Sequence, residues 1–73
     1  MNKKSGILVY DFEQERYDIK FSHEEYYGGL HCGETLQVLI GTEWKPTRIE
    51  MGEDWYLVGI SKSISLQGLK VRI

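Results

Sequence analysis

No alanine occurs anywhere in this 73-residue chain, and it has a single cysteine, a single proline and no long apolar run. The missing alanine removes the strongest helix former, while valine, isoleucine, threonine and the aromatics supply 23 of the 73 residues. That balance predicts a β fold. A lone Cys32 excludes an internal disulfide framework and fits a reducing cytoplasm, the compartment expected here. After Met1-Asn2-Lys3-Lys4-Ser5-Gly6 only Ile7 to Tyr10 are continuously apolar, where a membrane helix needs about twenty such residues. Neither a secretory signal nor a membrane span is expected. A net charge of −2 argues against a protein whose main work is neutralising phosphates. The chain is long enough for one small domain spanning residues 1–73, which must find its stability without disulfides. It is expected to be a monomer or weak dimer.

What is present is alternation. Gly6 to Tyr10 is a first apolar run, and Tyr17-Asp18-Ile19-Lys20-Phe21 puts Tyr17, Ile19 and Phe21 on one face. Residues 22–33 hold three glycines, two histidines and two tyrosines with no period, which marks a long loop. Leu36, Val38 and Ile40 share a face, Gly41-Thr42-Glu43 makes a turn, and Trp44 to Met51 alternates again. Pro46 removes one ladder donor and places that part of the strand at an edge or bulge. Met51-Gly52-Glu53-Asp54 reads as a hairpin turn. Trp55 to Ile60 is apolar on both faces and therefore reads as a central strand. Residues 61–65 are polar and irregular, Leu66-Gln67-Gly68 can make one helical turn, and Leu69 to Ile73 closes the chain as a strand. Five or six short antiparallel strands cover a core best by curling into a small barrel.

Several segments resemble an SH3 domain in element order. Gly33-Glu34-Thr35-Leu36-Gln37-Val38-Leu39 is similar to that family's diverging-turn strand, and Leu8-Val9-Tyr10-Asp11-Phe12 to its opening motif. Trp44 stands where the family places a ligand-facing tryptophan, Met51 to Asp54 where it places the distal hairpin, and Leu69 to Ile73 as the closing strand. The resemblance implies an SH3-like barrel. The proline and tyrosine of the family's groove-forming turn are missing from Ser65-Leu66-Gln67-Gly68, so its proline-rich ligand class is not implied. A second resemblance spans nearly the whole chain. Gly28-Gly29-Leu30-His31-Cys32-Gly33, Pro46-Thr47-Arg48-Ile49-Glu50-Met51-Gly52, Asp54-Trp55-Tyr56-Leu57-Val58-Gly59 and Gly68-Leu69-Lys70-Val71-Arg72-Ile73 are similar to short proteins of unknown function. Those proteins are encoded on conjugative transposons, plasmids and prophages of Gram-positive bacteria. That resemblance implies a mobile-element context and brings no activity.

Tyr26-Tyr27-Gly28-Gly29-Leu30-His31-Cys32 is the most distinctive stretch. As a binding loop it offers flat amphipathic rings, with glycines that let a partner's backbone approach. As plain structure, one tyrosine plugs the barrel mouth, the other is exposed, and the glycines supply positive φ. His23, His31 and Cys32 do not have zinc spacing, since the histidines stand eight positions apart and His31 and Cys32 diverge on a strand. No metal or cofactor is expected, and Cys32 reads as a buried thiol. Residues 11–34 carry seven acids against Arg16 and Lys20, an arrangement that steers a basic partner or simply keeps the surface solvated. Trp44 beside Pro46 is either an exposed platform or core packing, and Trp55 reads as core.

The function expected from these residues is a non-enzymatic, protein-binding module, accessory to a mobile element. Its contact surface is expected at Tyr26, Tyr27, His31 and Trp44, with Glu24 and Glu25 setting charge preference. A nucleic-acid-binding barrel is the alternative, and it requires Lys45, Arg48, Lys70 and Arg72 to converge on one face. A third reading is an acidic anti-defence inhibitor of a host enzyme. No nucleophile, base and orienting group fall at readable spacing, so catalysis is not expected.

Overall fold

The computed structural model describes residues 3–73, and the opening Met1-Asn2 lies outside them. Six antiparallel strands form one sheet: β1 (Ser5–Asp11), β2 (Arg16–Lys20), β3 (Thr35–Ile40), β4 (Glu43–Met51), β5 (Trp55–Leu57) and β6 (Lys70–Arg72). Their order across the sheet is β2-β1-β6-β3-β4-β5. The all-β expectation holds, and among the described residues no helix is long and apolar enough to cross a membrane.

Alternation sets what each strand buries. Leu8, Ile19, Leu36, Val38, Ile49, Leu57 and Val71 are buried, so every strand contributes at least one side chain to a single core. The final strand joins the ends of the chain to the middle. β6 pairs with β1 from Ser5↔Arg72 to Ile7↔Lys70, and with β3 through Gln37↔Arg72 and Val38↔Val71. Backbone bonds between Lys4 and Ile73 extend the first pairing outward. Gly6 is required where β1 crosses β2: a Cβ there would stand 2.5 Å from the Lys20 carbonyl oxygen and 2.8 Å from Ile19 Cγ2.

Three expectations need correction. The Trp55–Ile60 segment is not a central strand, because β5 ends at Leu57 and pairs only with β4, through Ile49↔Leu57 to Met51↔Trp55. Its apolar character serves a covering role instead. Trp55 packs against the core and its indole N–H donates to the Glu15 carbonyl at 3.1 Å, tying β5 to the turn before β2. The sheet therefore curls until its two ends approach, which keeps the barrel-like reading while leaving β5 an edge. Leu66-Gln67-Gly68 makes no helical turn. The Leu69 N–H donates to the Leu66 carbonyl with Gly68 at φ +81, a type II β-turn. Cys32, expected buried, is exposed. Pro46 stands as expected, on the half of β4 that β5 does not reach.

Candidate functional site

The long loop between β2 and β3 is a fitted strap. It leaves β2 by a turn in which Phe21 and Ser22 donate to the Glu25 carbonyl, and the Glu25 carboxylate pairs with the Lys4 ammonium. Tyr26 bridges to Lys20, Tyr27 N–H donates to the Ile19 carbonyl, and Leu30 N–H donates to the Tyr17 carbonyl. The strap thus covers the outer edge of β2, which would otherwise expose a row of unpaired groups. Its far end joins the β3–β4 pairing, with Gly33 N–H donating to Ile49 and Ile49 N–H to Glu34.

Two further carboxylates fix the strap. One oxygen of Asp18 accepts the N–H groups of Ile19, Gly28 and Gly29 at 2.8–2.9 Å. Gly28 and Gly29 sit at φ +111 and +96, conformations that any side chain would strain, as expected of them. Glu34 accepts the His31 N–H at 2.8 Å through one oxygen and the Tyr27 hydroxyl through the other. This hydrogen bond, together with partial desolvation and the adjacent Glu34 charge, raises the Tyr27 pKa above its ordinary value. The His31 ring nitrogen Nδ1 lies 2.9 Å from the Arg16 guanidinium, and since arginine only donates, Nδ1 accepts.

The residue that plugs the core is Leu30, wholly buried, and neither tyrosine does so. Tyr26 and Tyr27 remain 50% and 40% exposed, so both adjacent rings face solvent, whereas the plain-structure alternative turned one of them inward. Leu30 was invisible in the sequence because no period runs through residues 22–33. The flanking glycines were its only signal, marking a chain bent enough to turn one side chain inward.

The expected surface residues do not form one patch. Tyr26, Tyr27, His31, Glu24 and Glu25 all lie on the strap. Trp44 pairs with Leu39 near the other end of β3, five residues from Glu34, a separation of roughly 17 Å along a strand. Trp44 is half-buried, and the Arg72 guanidinium stacks on its ring at 4.2 Å while donating to Gln37. The ring is therefore covered rather than offered. Nor do the four cations converge. Arg48 is paired with Glu50 at 2.7 Å, and Lys45, in register with Val38, lies on the opposite side of β4 from Arg48. By register Arg48, Lys70 and Arg72 do share the outer face that carries Trp44, with Arg48 committed to Glu50 and Arg72 to Gln37 and the Trp44 ring. The acids are also partly committed: Asp11 caps the β1–β2 turn through Glu13 and Gln14 N–H, and Asp18, Glu25 and Glu34 hold the strap.

A second surface was not foreseen. Phe12, at the tip of the β1–β2 hairpin, is 84% exposed and meets Tyr10 edge-on, and Tyr10 meets Tyr17 in the same way. Burial, reinforced by Tyr10 and Asp54, raises the Tyr17 pKa. Beside Trp55 a groove of about 550 Å³ runs between β5 and the chain that follows it, walled by Trp55, Leu57, Ile60, Ile64 and Leu66.

No curated protein matches this chain. A crystal structure of a protein from Ruminococcus gnavus, a Northeast Structural Genomics Consortium target, is similar to it with a TM-score of 0.89 and 56% identity. That match covers 94% of this chain and 99% of the other. The family model described as "Domain of unknown function (DUF5348)" matches residues 6–73, so nearly every residue of the strap, sheet and groove falls within it. The chain belongs to that family of unknown function.

Proposed function

We propose that the chain is a non-catalytic, protein-binding module on an SH3-like small barrel, and that the strap is its contact surface. The observation that carries this reading is the pair of exposed rings, Tyr26 and Tyr27, on a backbone already fixed by Asp18 and Glu34. A surface ordered before binding loses little entropy on contact, and tyrosine brings apolar area together with a hydroxyl. The polar groups beside those rings are engaged with the backbone and with one another, which favours recognition over chemistry. His31 serves in this reading by holding the strap to Arg16, and Glu24 by giving the rim its sign. The mobile-element resemblance supports an accessory role, and the lone cysteine supports work in the cytoplasm.

Tagged protein incubated with host lysate, half of it nuclease-treated, tests the proposal. A stoichiometric protein partner should survive nuclease, be lost from the Tyr26→Ala/Tyr27→Ala variant and be retained by Tyr27→Phe. Recovery that disappears with nuclease, or that ignores the double variant, refutes it.

A further inference from the structure

The edge of β5 is an unfilled place in the sheet. Along the β4–β5 pairing, Gly52 N–H donates to Asp54 and Val58 N–H donates to Arg48, so the intervening hydrogen-bonded pair is Glu50↔Tyr56. Tyr56 therefore spends its backbone groups on β4, and those of Trp55 and Leu57 point away from it, toward the groove. The Leu57 carbonyl accepts the turn donor Ile60 N–H at 3.2 Å. Among the described residues, the Trp55 N–H, the Trp55 carbonyl and the Leu57 N–H take no hydrogen-bond partner. Three backbone groups on one short edge are thus unpaired beside a groove that mixes apolar walls with Glu53, Asp54, Ser61 and Lys62. Leu57 is only 2% exposed, so Trp55 offers the more open part of the edge.

The rim has a sign. Glu53 and Asp54 line the groove, and the Trp55 indole that walls it is held by the Glu15 carbonyl. The cation that lines it, Lys62, stands over the Tyr56 ring at 4.8 Å.

From these features we propose a second binding site, distinct from the strap: the β5 edge accepts an extended segment of a partner protein as an added antiparallel strand. The segment carries β-branched or other apolar side chains toward the groove and lysine or arginine toward Glu53 and Asp54. One residue of the segment exchanges two backbone bonds with Trp55, and a carbonyl two residues away accepts the Leu57 N–H. The free backbone groups supply affinity, the walls select apolar side chains at alternate positions, and the acids select charge. The site stands independently of the strap reading, because the two surfaces share no residue.

The test uses the full-length, isotope-labelled chain and a ten-residue synthetic peptide alternating Lys/Arg with Val/Ile, followed by amide and indole NMR shifts. Two controls accompany it: the same peptide with glutamate for every cation, and the same peptide with alternate backbone nitrogens methylated. Saturable shifts should centre on the Trp55 and Leu57 amides and the Trp55 indole, and both controls should lose them. Glu53→Gln/Asp54→Asn should weaken binding about threefold to tenfold at low salt, the worth of two exposed charge pairs. Tyr26→Ala/Tyr27→Ala should leave the titration unchanged, which separates failure of this site from failure of the strap. Equal binding of the methylated peptide, shifts centred on the strap, or no saturable shift at millimolar peptide overturns the proposal.

Discussion

Leu30→Ala tests whether the strap is part of the fold or an appendage to it. Leu30 is wholly buried, contributed by a segment outside every strand, and its N–H is bonded to the Tyr17 carbonyl. Truncating it removes the methyl groups that fill the core beneath the strap and leaves a cavity, a change that costs about 2.7–5 kcal/mol in well-packed cores. A domain of this length has a total stability of about 4–11 kcal/mol. The substitution therefore consumes about a quarter or more of what holds the protein together. With a urea m-value near 1 kcal/mol/M, the denaturation midpoint should fall by about 3 M or the protein should be unfolded in buffer. Leu30→Met, which preserves volume, should cost less than about 1.5 kcal/mol and serves as the control. If Leu30→Ala costs under about 1 kcal/mol with an unchanged m-value, the strap detaches freely and cannot be a pre-ordered contact surface.

The remaining predictions concern the contacts that shape the same frame. Gly6→Ala should destabilise by more than about 1 kcal/mol, because its Cβ meets the Lys20 backbone at 2.5 Å, and thermal unfolding measures it; an unchanged Tm contradicts the close crossing. Asp18→Asn removes the charge from an oxygen that accepts three N–H groups. It should cost about 1–3 kcal/mol and accelerate hydrogen exchange at Gly28 and Gly29 before any other strap amide. Tyr17 and Tyr27 both have raised pKa values in the folded protein, so each favours the folded state while protonated. Above the ordinary tyrosine pKa the unfolded chain gives up these protons first, so stability should be full below about pH 10 and decline as pH rises further. Urea unfolding on either side of that pH reads the decline, and Glu34→Gln should reduce it by removing the partner that raises Tyr27; a flat profile refutes both assignments.

Strand positions were legible because a half-buried strand writes its burial into period-two alternation: Tyr17, Ile19 and Phe21, then Leu36, Val38 and Ile40, face the core side as the pattern demands. Absence of alanine, the lone cysteine and the glycines of the strap were equally local statements. Alternation does not say which strands become neighbours. Trp55 to Ile60 reads as central because both its faces are apolar, yet β5 pairs with β4 alone, and its apolar side chains pack on the core or line the groove beside it. The plug, Leu30, has no period to announce it, and the exposure of Cys32 follows from how the strap is threaded. Charge pairing is likewise tertiary: Arg48 with Glu50, Arg72 over Trp44 and Lys4 with Glu25 decide which ions remain for a partner. The sequence by itself determined an all-β chain, its strand positions and a family of unknown function. Tertiary structure alone decided the burial of Leu30 beneath an otherwise exposed strap, the free β5 edge and the separation of Trp44 from Tyr27. Those depend on contacts between residues far apart in the chain, which no local pattern encodes.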